Sequence, residues 1–383
     1  MEYFIIAGEA SGDLHGSRLM EALKRHDAGA RFTFLGGDKM ALVAGHEPLI
    51  HYRDMAYMGF VDVIKHLRPI LGFMRTAKRA LASNPPAVLI LIDYPSFNLK
   101  MARYAHDKLH LPVHYFISPK VWAWKQWRVK SIKRWVDRMY SILPFEVDFY
   151  CQHDYDIDYV GNPTVAEVDE ELAAMGTRED FAAGHGLDSR PILALVPGSR
   201  KKEIRDNLPV MLSVAARHPE VQPVIAGAPS IDESLYRQVM GDCNVPVLRN
   251  VTFSLVHHAT VALVTSGTAT LETALLGTPQ VAMYRANGSK WLYRLYSKLI
   301  KGKYVTLPNL ILDAPAIPEL LLHHCSEENV ENWLTRLLDT EGDTRAAMLR
   351  SYASLRTALG SNDCAATTAS HIIQSIKAGG DEK

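Results

Sequence analysis

Short apolar runs recur along this chain with a helix-length stretch after each, and that alternation limits the folds open to it. Tyr3–Ile6, Arg31–Leu35, Val88–Ile92, Val113–Phe116, Met139–Leu143 and Ile157–Val160 read as buried strands in the first half. Ile192–Val196, Val221–Ile225, Val245–Leu248, Val261–Val264 and Gln280–Met283 repeat the pattern in the second. Strands alternating with helices build parallel sheets from βαβ units. Covered on both faces, such strands are apolar throughout instead of alternating. The expected class is α/β, with two doubly wound domains in series.

At 383 residues the chain has room for two or three domains of about 150 residues each. The first is expected over 1–165 and the second over 190–340. Between them Val165–Met175 is acidic and Gly184–Arg190 polar and turn-rich, so the connection is placed there. Residues 341–383 read as a helical tail that either ends the second domain or packs back on the first. Two sheets of this type that face each other form a cleft, because ligands bind at the carboxyl ends of parallel strands.

Composition excludes several classes. Acidic and basic residues balance at 42 each, whereas a nucleic-acid binder carries a basic excess or stripe. No apolar run reaches the roughly 18 residues a membrane-spanning helix needs. The start at Met1 lacks the features of a signal peptide, so a cytoplasmic protein is expected. Cys151, Cys243, Cys325 and Cys364 are too far apart to suggest a zinc or redox pair. Asp154, Asp156 and Asp158 imitate an Asp-x-Asp metal signature, but they border a strand and are assigned to a solvated edge. His257 and His258 are adjacent and point to different faces of any helix. No metal and no cofactor are expected.

Four segments at strand ends carry the candidate chemistry. Gly8-Glu9-Ala10-Ser11-Gly12-Asp13 follows the first strand; its glycines allow a sharp turn and close ligand approach. It is neither a P-loop nor a dinucleotide fingerprint, and Ser11 or Asp13 as a helix cap is the alternative. Asp93, at the end of an apolar strand, has the placement of a general base, since a carboxylate withdrawn from water has a raised pKa. Asp93 or Ser96 as a helix cap is the competing reading. Pro197-Gly198-Ser199-Arg200 sets a guanidinium at a helix start, where positive charge opposes the macrodipole unless an anion binds. Thr265–Glu272 brings Ser266, Gly267 and Thr268 to the start of another helix as an anion seat. There Glu272 either accepts ribose hydroxyls or helps cap the first turn. The mixed stretch Lys120–Arg128 allows stacking on a base or sugar, with core packing as the alternative.

Two stretches have the spacing of basic amphipathic helices. Phe60, Val63, Ile64, Leu67, Leu71 and Met74 form one stripe, interrupted by Pro69; Trp291 and Leu295 belong to the other. Such helices either lie in a lipid interface or face a protein core.

AGEASGD from Ala7, IDYPSFN from Ile92, HYFISPKVWAW from His114, LPFE from Leu143, VPGSR from Val196, TSGTATLE from Thr265 and KYVTLPNL from Lys303 together resemble the lipid-A-disaccharide synthase family along most of the chain. The resemblance implies a GT-B fold of two Rossmann-like domains with the terminal helix returning to the first. It implies an inverting, metal-independent transfer between UDP-2,3-diacylglucosamine and 2,3-diacylglucosamine 1-phosphate, giving a β(1→6) disaccharide 1-phosphate and UDP. It also implies peripheral attachment to the inner face of the inner membrane, with Phe60, Val63, Ile64, Leu67, Trp291 and Leu295 as acyl or membrane contacts. Nucleic acid is not a partner; a homo-oligomer is allowed.

On this reading Asp93 is the base. Arg200, Ser266, Gly267, Thr268, Glu272 and Asn309 hold UDP, and Gly8, Glu9, Ser11, Gly12 and Asp13 line the acceptor side, with Glu9 as an alternative base. The chain departs from the family pattern at Ser96, where a second Asp is common, and at Asn162, where His is common. Neither is assigned a proton-transfer role. A UDP-sugar 2-epimerase and a noncatalytic sugar-nucleotide or lipid binder are the competing functions.

Overall fold

The computed structural model describes residues 1–55, 67–123, 125–285 and 303–381. The chain divides into two compact units, Met1–Pro163 with Ser361–Lys383, and Thr164–Gly360.

In the first unit a parallel sheet has the order β3-β2-β1-β4-β5-β6-β7. Its strands are β1 (Glu2–Ala7), β2 (Arg31–Gly36), β3 (Ile50–His51), β4 (Val88–Ile92), β5 (Val113–Phe116), β6 (Arg138–Ser141) and β7 (Asp158–Tyr159). The helices are α1 (Ala10–His26), α2 (Asp38–Ala44), α3 (Tyr52–Met55), α4 (Leu67–Ser83), α5 (Pro95–Tyr104), α6 (Val129–Trp135) and α7 (Phe145–Cys151). All five β4 residues are buried, because each face of the sheet has its own helical cover. Phe4, Ile6, Leu89 and Leu91 pack on one face with α4 and α5 residues such as Leu81 and Met101. Tyr3, Ile5, Val88 and Ile90 pack on the other with Leu19, Met20 and Leu23 of α1.

The second unit has a parallel sheet in the order β10-β9-β8-β11-β12-β13. These strands are β8 (Ile192–Val196), β9 (Gln222–Gly227), β10 (Val247–Arg249), β11 (Val261–Thr265), β12 (Gln280–Tyr284) and β13 (Glu319–Leu321). Its helices include α8 (Pro163–Ala174), α9 (Arg178–Gly184), α10 (Lys201–Ala215), α11 (Glu233–Met240), α12 (Thr252–His258), α13 (Ala269–Leu275), α14 (Leu307–Leu312), α15 (Glu327–Leu338) and α16 (Asp343–Leu359). One core joins both sheet faces.

Two edge strands, β3 and β13, have no counterpart in the sequence reading. At two and three residues they are too short to show a pattern. The segment read as a connection is largely helical, and Val165 and Val168 of α8 enter the core of the second unit. The tail also divides. Met348, Tyr352, Leu355 and Leu359 of α16 pack in the second unit. Gly360 then takes φ +65°, a left-handed stop that suits glycine. Helix α17 (Cys364–Asp381) follows and buries Ala369, Ile372 and Ile373 in the first unit's core beside α1.

In each sheet the winding direction reverses at one place, between β1 and β4 and between β8 and β11. A ligand crevice forms at the carboxyl ends of such strands. The segments following those four strands are Gly8–Asp13, Asp93–Asn98, Pro197–Arg200 and Ser266–Glu272.

Candidate active site

In the first unit the turns after β1 and β4 meet. The Tyr94 ring lies directly on Gly8, where a Cβ would stand 2.4 Å from Cγ and Cδ1 of the ring. Asp93 and Tyr94 have φ of 42° and 47°, a left-handed pair that costs about 1–2 kcal/mol per non-glycine residue. Buried hydrogen bonds hold it. The Asn98 amide donates to Ile92 O at 3.1 Å and to Asp93 O at 2.7 Å, and the Tyr115 hydroxyl also donates to Asp93 O. Asn98 and Tyr115 are both fully buried.

This geometry decides between the two readings of Asp93. The N-cap of α5 is Tyr94, and no side chain caps it; Pro95 and the left-handed Tyr94 open the helix instead. The Asp93 carboxyl therefore does not cap. Burial, and after it the nearby Glu9 carboxylate, push its pKa up to about 6 against the opposing Lys120 charge and the Tyr94 backbone hydrogen bond. Ser96 is exposed and its hydroxyl accepts from Arg128 at 3.2 Å.

The rest of the Gly8–Asp13 turn divides by role. Glu9 and Ser11 are exposed, and neither side chain caps α1. Gly12 packs on Ala7, whose Cβ is 3.2 Å from the site of a Gly12 Cβ. Asp13 departs from expectation. It is buried, and its carboxylate accepts from the N–H groups of Gly37 at 2.7 Å, Lys39 at 3.1 Å and Met40 at 3.1 Å. It caps α2, a different helix, and its oxygens are occupied with that.

A carboxylate that the sequence reading passed over lies nearby in the chain's fold. Glu146 of α7 is buried, and burial pushes its pKa up to about 7 against hydrogen bonds from Ser141, Trp122 and Ser118 and the charge of Lys120. The Trp122 indole donates to it at 2.9 Å and packs edge-on against Phe145 at 5.1 Å. So Trp122 is a packing residue, while Trp127 stands 65% exposed; Trp124 lies outside the described residues. In the sequence LPFE reads only as a motif, because nothing local marks its glutamate as buried.

In the second unit the Pro197–Arg200 turn supplies its own anion. Glu203 accepts from the N–H groups of Ser199 at 3.1 Å and Arg200 at 3.2 Å, and from the Arg200 guanidinium at 2.8 Å. The expected argument from the macrodipole is thereby corrected: the anion that offsets the positive helix start is an internal carboxylate in a capping box. Arg200 is nevertheless 80% exposed, so most of its donors face solvent.

The turn after β11 is differently built. Ser266 N–H donates to Met283 O at 2.8 Å, which removes it from the expected set of anion donors. Gly267 has open space where a Cβ would stand. The Thr265 hydroxyl is buried and has no partner among the described residues. Thr268 is the N-cap of α13 without any side-chain cap bond, so Glu272 is not the second half of a capping box. Burial, and after it the Glu167 carboxylate, push the Glu272 pKa up to about 7.

Asn309 is fully buried in α14. Its amide donates to Ile317 O at 2.9 Å and Glu319 at 3.0 Å, and its oxygen accepts from Ile317 N at 2.9 Å. Direct nucleotide contact was expected; the side chain instead ties its own loop. Asn162 is likewise buried and donates to Ile142 O at 2.9 Å. Phe60, Val63, Ile64, Trp291 and Leu295 lie outside the described residues, and Leu67 is placed only as the first residue of α4. Asp154 is 97% exposed beside Lys133, and no group of three or more His, Cys, Asp or Glu that could hold a metal occurs among the described residues.

Comparison with known proteins adds a second line of observation. A sequence model of the lipid-A-disaccharide synthetase family matches residues 3–371. The lipid-A-disaccharide synthase of Acidobacterium capsulatum is 36% identical over 374 residues, covering 93% of this chain and 91% of that protein. That of Trichlorobacter lovleyi is 38% identical over 348 residues, covering 89% of each. Among solved structures, the UDP-GlcNAc 2-epimerase of Neisseria meningitidis bound to UDP-GlcNAc aligns with a TM-score of 0.65 at 10% identity, over 98% of this chain and 99% of that one. The glycotransferase of kitacinnamycin aligns with a TM-score of 0.61 at 12% identity, over the same shares. At such identities the structural likeness speaks to the fold alone: two parallel-sheet α/β domains of the GT-B kind.

Proposed function

The chain belongs to the lipid-A-disaccharide synthase family, and from that premise we infer that it is a glycosyltransferase of lipid A biosynthesis joining UDP-2,3-diacylglucosamine to 2,3-diacylglucosamine 1-phosphate. The observation that carries the mechanism is the Asp93 carboxyl, held at a strained switch-point turn, capping nothing, with its pKa raised to about 6. Asp93 takes the proton from the acceptor 6-hydroxyl. That oxygen bonds to the anomeric carbon as the bond from carbon to the diphosphate oxygen breaks, with inversion. The electron pair leaves with UDP.

Each unit has its part. In the second, Gly267 and Thr268 present backbone donors to the diphosphate and Arg200 adds a guanidinium, so charge growing on the leaving group meets fixed dipoles. Glu272 accepts from the ribose hydroxyls; at a pKa of about 7 it titrates in the neutral range. Ser266 and Asn309 act by shaping their loops, through the bonds they make to Met283 O and Ile317. In the first, Gly8, Gly12 and Asp13 set the turn that carries Glu9 and Ser11 toward the acceptor.

The chain acts at a membrane surface, the inner face of the inner membrane. No described helix is long and apolar enough to cross a bilayer. Supporting attachment, Leu71 of α4 stands exposed, and Lys78 joins Lys100, Arg103 and Lys108 around a concavity of about 520 Å³ with Asp107 its one lining carboxylate. Anionic headgroups favour such a basic face.

The test is acceptor-dependent release of UDP from UDP-2,3-diacylglucosamine in detergent. Release that requires the acylated sugar phosphate and fails in folded Asp93→Asn supports the reaction and the base. Epimerisation of UDP-GlcNAc without lipid, or UDP binding with no turnover, would overturn it.

A further inference from the structure

We propose that Asn98 is a positioning residue for the transfer reaction: with Tyr115 it grips the Asp93 carbonyl and so aims the Asp93 carboxyl at the acceptor hydroxyl. This deepens the assignment of Asp93 as base and rests on it.

The Asp93 N–H still follows the sheet, donating to Phe116 O at 3.2 Å. Beyond that bond the chain turns into two left-handed residues, neither of them glycine. Aspartate tolerates that conformation better than most residues, but tyrosine does not favour it, so the surroundings must hold the pair. The only side-chain groups that bond this turn's Asp93 carbonyl among the described residues are the Asn98 amide, at 2.7 Å, and the Tyr115 hydroxyl. Asn98 also reaches Ile92 O at 3.1 Å, so one amide spans the last strand residue and the first turn residue.

The carbonyl and carboxyl of Asp93 share one Cα. With the Asp93 N–H held by Phe116 O and the Asp93 carbonyl held by Asn98 and Tyr115, both peptides flanking this Cα are fixed, and with them the direction of the Cα–Cβ bond that carries the carboxyl. A base must lie within hydrogen-bond reach of its proton, and small errors of placement lower rates steeply. The clamp is dry and rigid: both side chains are fully buried, and α5 carries Asn98 one turn after Pro95. The bland alternative is that Asn98 merely satisfies two buried carbonyls. That role would affect stability and leave the chemistry of folded enzyme alone. The other charged groups around Asp93, Glu9 and Lys120, belong to different segments from Asn98.

The experiment uses full-length enzyme with Asn98→Ala, Tyr115→Phe, Asp93→Asn and Asp93→Asn/Asn98→Ala, all scaled to folded protein by UDP titration. The expected result is a kcat lowered by roughly tenfold to hundredfold in Asn98→Ala, with the UDP Kd unchanged and the acid limb of the pH profile displaced. Tyr115→Phe keeps the ring and loses only the hydroxyl; it moves kcat the same way and stands in if Asn98→Ala does not fold. Asn98→Ala has no further effect once Asp93 is Asn. If both clamp variants keep wild-type kcat and pH profile per folded molecule while Asp93→Asn is inactive, the positioning role is overturned and the base stands. If Asp93→Asn is itself active, the base assignment falls, and the role of Asn98 with it.

Discussion

Glu203 holds Arg200 at both ends, accepting from its guanidinium at 2.8 Å and from its backbone N–H at 3.2 Å. A carboxylate thus stands where a diphosphate oxygen would be drawn. Glu203→Gln retains an oxygen for the cap and removes the like charge. Its UDP Kd is expected to fall by about threefold or more, measured by calorimetry, while Arg200→Ala raises it. A weaker UDP affinity in Glu203→Gln would instead mean that Glu203 is needed to aim Arg200.

Two glycine substitutions separate packing from ligand contact. A Cβ on Gly267 meets nothing within 4 Å. Gly267→Ala should melt like the wild type yet lose UDP affinity, because the methyl group occupies the phosphate approach. At Gly8 a Cβ would clash with the Tyr94 ring at 2.4 Å. Gly8→Ala should lower stability by about 1–3 kcal/mol and depress kcat, and Tyr94→Ala in the same chain should restore much of the stability. Equal melting temperatures for Gly8→Ala and wild type would contradict that contact.

The acid limb of kcat/KM is expected near pH 6. Asp93 is a base only when ionised, and its pKa is raised to about 6 by burial and by Glu9, so activity climbs as pH rises through that value. Glu9→Gln removes the repulsion and should shift the limb to lower pH. Asp93→Asn should lose roughly a hundredfold to ten-thousandfold in kcat. Should Glu9→Gln be the inactive variant and Asp93→Asn the active one, the base is Glu9.

Glu146 gives stability a pH dependence of its own. Its folded pKa, about 7, exceeds its ordinary value of 4.5, so the folded state binds the extra proton. The contribution is complete below the ordinary value and is lost as pH rises through about 7. The size is of order 3 kcal/mol for a fully buried group. Urea titrations at about pH 5 and about pH 8 should show wild type losing that much more than Glu146→Gln. Parallel losses in the two proteins would mean that Glu146 does not titrate in this range.

Local pattern was enough for the framework. Val88–Ile92, Val113–Phe116 and Ile192–Val196 were legible as strands to the residue, because a parallel strand covered on both faces is apolar along its whole length. The four candidate segments were legible for a related reason. Glycine, proline and short polar residues between a strand and a helix leave few conformations open, and topology then carries all four to switch points.

Partners brought together from distant parts of the chain were not legible. Asp13 reads as a cap for its own helix and caps α2 instead, 24 residues further on at Gly37. Asn309 reads as a ligand and ties its own loop. Glu203 shows most directly why. Its spacing from Arg200 is plain in the sequence, but whether a carboxylate there answers the turn or the solvent depends on backbone direction.

The sequence by itself determined the class of fold and the strand ends that carry the candidate segments, because hydrophobic periodicity and turn chemistry act over a few neighbouring residues; its motifs pointed to the family. Tertiary structure alone decided which carboxyls are spent on the fold and which are left for the proposed reaction. Asp13 and Asp93 are the same residue type, each beyond a strand end; one meets three backbone N–H groups, and the other is half-buried beside a second carboxylate with its pKa near 6. Desolvation and hydrogen bonding depend on what surrounds a group in space, and most of those surroundings come from other parts of the chain.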